Sequence, residues 1–270
     1  MLSQPGFATR LRNFEVDPDG GYRRVDGFTE FGDTRPNSSE TILGMAVYAD
    51  GVIVCSGTGI FFSQDGETTW LQLNRASVSG SGDNYSTFTG RSVAARTSQG
   101  RCSFSLYEGT SDYGELVICD GVNEPFLFQM TGTGALTDRT FFAKEITVSG
   151  TTGPTVGVIH DKHLVVAGAS TAKNTIFYSG TNDIDDFTSS GSGSIVIEDA
   201  VVGLASFRSD LIIFCKNSIH KLVNINNSST VAVVPITTNV GCVSGGSIQE
   251  IGGDLLFLSP DGVRTVAGTA

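Results

Sequence analysis

An apolar triplet returns five times along this 270-residue chain: Val52-Ile53-Val54, Leu116-Val117-Ile118, Leu164-Val165-Val166, Leu211-Ile212-Ile213 and Leu255-Leu256-Phe257. Each copy follows a turn carrying Asp or Gly, namely Asp50-Gly51, Gly114, Asp161, Asp210 and Gly253-Asp254. Beyond each copy a second turn leads to another apolar run: Ile60-Phe61-Phe62, Phe126-Leu127-Phe128, Thr175-Ile176-Phe177, Ile219 to Leu222, and Val263 to Val266. The triplets begin at residues 52, 116, 164, 211 and 255, at intervals of 64, 48, 47 and 44 residues. Successive side chains of a strand point to opposite faces of its sheet, so a strand apolar at consecutive positions must be buried on both faces. A unit of three or four short strands cannot cover both of its own faces. A period in the mid-forties is the signature of propeller blades, which bury one another by packing radially. The expected fold is all-β, a β-propeller of about five blades. An ordinary β-sandwich with chance likeness among its strands is the competing architecture.

The rest of the chain agrees with few helices, because no i, i+3, i+4 apolar stripe lasts for three turns. The longer first interval holds the polar stretch Ser77 to Asn84, read as a surface loop, and Ser189 to Ser194 reads as another. The sequence stops soon after the third strand of the fifth repeat, so the last blade lacks a fourth strand. Either an N-terminal strand such as Arg24 to Phe31 completes it, or a longer chain does. Residues 1–37 stand apart as an N-terminal β-hairpin arm, with the repeats over 38–270. Within the arm, Val16-Asp17-Pro18-Asp19-Gly20-Gly21-Tyr22 places Pro and Asp-Gly between two extended runs, a hairpin signal.

Composition narrows the function. Asp and Glu number 28 against 17 Lys and Arg, a formal net charge of −11. Affinity for phosphates comes from Lys and Arg, so a free-standing nucleic-acid binder is disfavoured. The same charge suits a conduit along which DNA slides. No apolar run approaches membrane-spanning length, and Met1 to Phe14 has no apolar signal core. The five cysteines (Cys55, Cys102, Cys119, Cys215 and Cys242) are scattered and odd in number, which reads as buried reduced thiols in a protein assembled in a cytosol.

Candidate sites are few. Ser63-Gln64-Asp65-Gly66-Glu67-Thr68-Thr69-Trp70 resembles the Asp box of sialidase-like propellers, with Gly66 one position early. Ser63, Asp65, Gly66 and Trp70 are assigned a structural role, the Asp fixing a turn through bonds to backbone. Arg91, Arg96 and Arg101 lie close together, but their spacing suits exposed strand positions and a turn rather than a carboxylate clamp. Period 2 places His160 opposite Asp161 and His163, so these read as a turn and not a metal site. Asp183, Asp185 and Asp186 lack the Gly and Glu of a calcium loop and read as a solvated acidic loop. No phosphate loop precedes a helix. Neither a catalytic constellation, nor a cofactor, nor a metal is expected. Arg10, Arg12, Arg23 and Arg24 flank the N-terminal turn and are the candidate docking cluster for an acidic adaptor or a neighbouring subunit, with surface pairing to Glu15, Asp17, Asp19 and Asp26 as the alternative.

Two segments carry a family likeness. Pro5-Gly6, Asn13-Phe14-Glu15 and Pro18-Asp19-Gly20-Gly21-Tyr22-Arg23-Arg24-Val25-Asp26-Gly27-Phe28 resemble the opening of tail nozzle proteins of short-tailed phages, the tail tubular protein B type. Val240-Gly241-Cys242-Val243-Ser244 and Ile251 to Val263 look like a later propeller motif of the same proteins. The resemblance implies a virion tail protein, six copies in a homo-oligomeric ring below the portal–adaptor complex, surrounding the DNA exit channel. It further implies contacts with adaptor and portal proteins and with tail fibres, and genomic DNA passing without specific binding. Family members generally run beyond this point, and their extra part would close the last blade. The expected function is structural and non-enzymatic. A sialidase-like or lectin-like glycan-recognising propeller is the alternative.

Overall fold

The computed structural model describes residues 36, 39–64, 70–74, 96–109, 111–135 and 138–269, together with the backbone of 14–16 and 22–24. Strands β1 (Phe14–Val16) and β2 (Tyr22–Arg24) form an antiparallel hairpin in which Val16 lies opposite Tyr22, the pairing expected of the Pro-Asp-Gly-Gly turn. The repeats then give five antiparallel sheets, each following chain order from its first strand to its last. Blade 1 holds β3 (Ile42–Tyr48), β4 (Gly51–Ser56), β5 (Gly59–Gln64) and β6 (Leu71–Gln72). Blade 2 holds β7 (Ser103–Tyr107), β8 (Glu115–Cys119), β9 (Phe126–Thr131) and β10 (Thr140–Glu145). Blade 3 holds β11 (Val156–His160), β12 (His163–Ala167), β13 (Thr175–Tyr178) and β14 (Gly193–Val196). Blade 4 holds β15 (Val201–Phe207), β16 (Asp210–Cys215), β17 (Ile219–Val223) and β18 (Ala232–Thr237). Blade 5 has three strands among the described residues, β19 (Gln249–Ile251), β20 (Asp254–Ser259) and β21 (Gly262–Thr265). The protein is a five-bladed β-propeller whose last blade shows three strands among the described residues.

Tight turns set each register. Blades 1, 3, 4 and 5 join their first two strands through two residues, as in Tyr48 opposite Gly51 and His160 opposite His163. Asp161 and Lys162 both have positive φ (46° and 67°), the mirror-image turn whose twist matches that of the strands. All five triplets fall on the second strand of their blade, and the packing explains them. On β8, Leu116 and Ile118 face blade 1 while Val117 and Cys119 face blade 3. On β12, Leu164 and Val166 face blade 2 while Val165 and Ala167 face blade 4. On β16, Leu211, Ile213 and Cys215 face blade 3 while Ile212 and Phe214 face blade 5. Each fully buried aliphatic side chain of these layers contributes about 1.5–3 kcal/mol.

The first strands surround the axis and touch one another directly. The Cys102 N–H donates to Leu43 O (3.1 Å), and the hydroxyls of Ser103 and Ser105 donate to Thr155 O (3.2 Å) and Gly157 O (2.6 Å) in blade 3. Small residues permit this closeness. A Cβ on Gly44 would stand 2.9 Å from both Cys102 Cβ and the Phe104 ring. Toward the rim, Tyr48 clamps blade 1 to blade 2: its hydroxyl donates to Gly114 O (2.8 Å) and accepts from Met130 N (3.2 Å). Burial pushes that phenol up to about 12.

Candidate functional site

The two ends of the blade series differ from its middle. Second strands β4, β8, β12 and β16 are buried at nearly every position, whereas β20 alternates. Leu255 and Phe257 pack on blade 4, but Leu256 is half-buried and Leu258 is exposed. The pairings Ile251–Asp254, Gln249–Leu256 and Leu258–Val263 put Ile251, Leu256, Leu258 and Val263 on that same outer face. Ile251 is 58% and Val263 70% exposed, so the sheet offers an apolar surface that no further blade covers among the described residues. The outer edge of β21 also has no strand partner among them. At the opposite end, Gly44 and Tyr48 of β3 face blade 2, which by alternation turns Met45 and Val47 away from it. These two are 69% and 80% exposed.

A second feature lies on the axis. The starting ends of β7, β11 and β15, the turn after β8 and the approach to β19 line an open cavity of about 700 Å³. Arg101 and Asp120 are the acid and base residues on its wall. Asp120 is fully engaged: Arg96 (3.0 Å) and Asn123 Nδ2 (2.7 Å) donate to Oδ2, and the amides of Val122 (2.9 Å) and Asn123 (2.7 Å) donate to Oδ1. Arg96 is wholly buried, reaches Glu145 as well (3.1 Å) and lies over the Phe126 ring. The Arg101 guanidinium instead crosses from blade 2 to lie against Gly246 in the approach to blade 5, where any side chain would collide with it.

The sites expected from sequence are dispersed. Arg10, Arg12, Asp65, Gly66 and Arg91 lie outside the described residues, as does the loop at 77–84. Arg23 pairs with Glu15 and Arg24 with Phe14 across the β1–β2 hairpin, so Arg24 stands in that hairpin and not on β21; residues 25–31 lie outside the description. Ser63 is the buried penultimate residue of β5, and Trp70 sits half-buried just before β6. Arg96, expected at an exposed strand position, is instead buried, because two carboxylates 24 and 49 residues away neutralise it. His160 and His163 are cross-strand partners, not residues on opposite faces, since Asp161 and Lys162 form the turn between them. His160 Nδ1 meets Ser206 Oγ (2.9 Å), while His163 Nδ1 meets Ser179 O (2.6 Å) and its Nε2 meets Asn226 Oδ1 (3.0 Å). The expected solvated acidic loop is more engaged than that: Asp186 accepts from the amides of Thr188 (2.7 Å) and Ser189 (3.1 Å), and Asp185 pairs with Lys144 of blade 2. The loop at 189–194 is shorter than expected, because β14 begins at Gly193. All five cysteines are free and buried. Burial pushes the Cys215 thiol up to about 12. Among the described residues no cluster of three His, Cys, Asp or Glu side chains could hold a metal, and no helix is long and apolar enough to cross a membrane.

No family model and no curated protein matches the chain. Solved structures do. The extracellular domain of BT4673 from B. thetaiotaomicron superposes with a TM-score of 0.52 at 12% identity, over 93% of this chain and 31% of that one. BBS1N, in its complex with ARL6DN, does so with a TM-score of 0.50 at 14% identity, over 84% of this chain and 66% of that one. The chain therefore spans just under two thirds of one neighbour and about a third of the other. At such identities the likeness shows the fold alone.

Proposed function

We propose that the chain is a ring-forming structural subunit of a short phage tail, seated below the portal–adaptor complex around the DNA exit channel. One observation carries the reading. The outer face of blade 5 and the outward side of β3 are two unlike apolar surfaces at opposite ends of one blade series. A ring built head to tail joins two different patches on every subunit, so it requires such a pair. The family likeness of the N-terminal and blade-5 segments, the excess of 11 negative charges and the purely architectural use of Arg96, His160 and His163 agree with it. In this reading the six-copy ring contacts the adaptor through Arg10, Arg12, Arg23 and Arg24 and tail fibres through its lateral surfaces. An acidic wall deprives passing DNA of tight resting places. No bond is made or broken.

The test is the assembly state. Light scattering after size exclusion and negative-stain images of the purified chain should show a closed symmetric ring. Leu258→Asp and Val263→Asp, which put charge on the blade 5 face without touching the core, should release folded monomers. A wild-type chain that stays monomeric at tens of micromolar, or one that hydrolyses a sialoside, would sink the proposal.

A further inference from the structure

The geometry points to the axial cavity as a binding site for a small ligand bearing one carboxylate or phosphate group, with Arg101 as its anchor. This inference is independent of the ring. Of the two ionised groups on the cavity wall, Asp120 is consumed by Arg96, Asn123 and two backbone amides. Arg101 makes no ion pair or hydrogen bond with any described residue. In a chain where carboxylates outnumber cations by 28 to 17, an exposed arginine with no acidic partner at an open cavity is available to an anionic ligand.

Position supports it. Gly246 leaves the space in which the guanidinium lies, so the side chain rests along the cavity wall while staying exposed to solvent. A guanidinium is always charged and offers paired N–H donors that match a carboxylate or phosphate edge. Shape supplies the rest. Phe104, Val158, Leu204 and Ile248 line the same cavity, and about 700 Å³ accommodates a compact molecule with an apolar body. The expected ligand is therefore an anion with a hydrophobic portion, and the wall carries no second free cation that would call for two anionic groups.

The test uses the full chain with its isoleucine methyls labelled, so that the Ile248 resonance reports on the cavity even in a large assembly. Inorganic phosphate and butyrate are titrated separately, with sodium chloride at matched ionic strength as the control. Saturable movement of the Ile248 methyl with either anion is expected. Saturation at lower phosphate concentration assigns a phosphorylated ligand, and at lower butyrate concentration a carboxylate. In Arg101→Met the apparent dissociation constant should rise at least roughly tenfold, while Arg101→Lys loses less. Gly246→Ala, which displaces the guanidinium but leaves its charge, should also weaken binding. The unaltered methyl spectrum of each variant shows that it is folded. Movement that never saturates, that chloride reproduces, or that persists unchanged in Arg101→Met overturns the site.

Discussion

Arg139 and Asp50 show how single residues tie the blades. Arg139, 2% exposed, reaches back from blade 2 to the first hairpin of blade 1, and its two terminal nitrogens donate to the two carboxylate oxygens at 2.7 and 2.6 Å. Its Nε donates to Gly134 O (3.0 Å), and its guanidinium lies over the Tyr113 ring. The guanidinium holds the Asp50 carboxyl below its usual range. A carboxyl lowered on folding contributes stability that is complete above its unfolded value, near pH 4, and that is lost as pH falls through the folded value. Asp50→Asn should thus lower stability at pH 7 and flatten the acid limb below about pH 4, measured as urea midpoints across pH; an acid limb unchanged from wild type would remove Asp50 from the account. Such pairs are what sequence conceals. Asp50 and Arg139 are 89 residues apart, and Arg96 lies 24 and 49 residues from its carboxylates, so neither partnership leaves a local pattern. Arg96 reads as exposed because an arginine next to polar residues usually is, and the fold overrides that by delivering two acids to it.

The strands and turns were far more legible, because the information that makes them is local. Apolar triplets, Gly and Asp turns and the mid-forties period all act within one blade, and the sheets fall where they predict. What the pattern could not say is which blade would show an uncovered face among the described residues. Leu255-Leu256-Phe257-Leu258 is as apolar as Leu211-Ile212-Ile213-Phe214, yet only the second is buried on both faces. The difference lies in what packs against the strand and not in the strand itself. Truncation should expose it. Leu211→Ala removes a fully buried side chain between blades 3 and 4 and is expected to cost about 2–5 kcal/mol. Leu258→Ala, on the open face, should cost the isolated subunit less than about 1 kcal/mol. Chemical denaturation at low protein concentration compares them, and equal losses would mean that the face of blade 5 is covered after all.

At the scale of the molecule, blades stacked in series behave as a nearly one-dimensional array, each deriving its stability from its neighbours. Blades 2, 3 and 4 have a blade on either side; blade 5 packs on blade 4 through Leu255, Phe257 and Cys242, and no described residue forms a blade against its other face. Local opening should therefore begin there, with lower free energy than opening of the middle blades. Amide exchange is expected to be fastest in β20 and β21 and slowest in β12 and β16. Uniform protection across the five sheets would contradict serial stabilisation. The concentration dependence carries the further step. If the outer face of blade 5 is the patch a second copy covers, binding to the folded, closed blade stabilises it by mass action. Protection of β20 and β21 should then climb with protein concentration while that of β12 and β16 stays level, and Val263→Asp should abolish the climb. That would tie the missing neighbour of one sheet to the assembly of the whole.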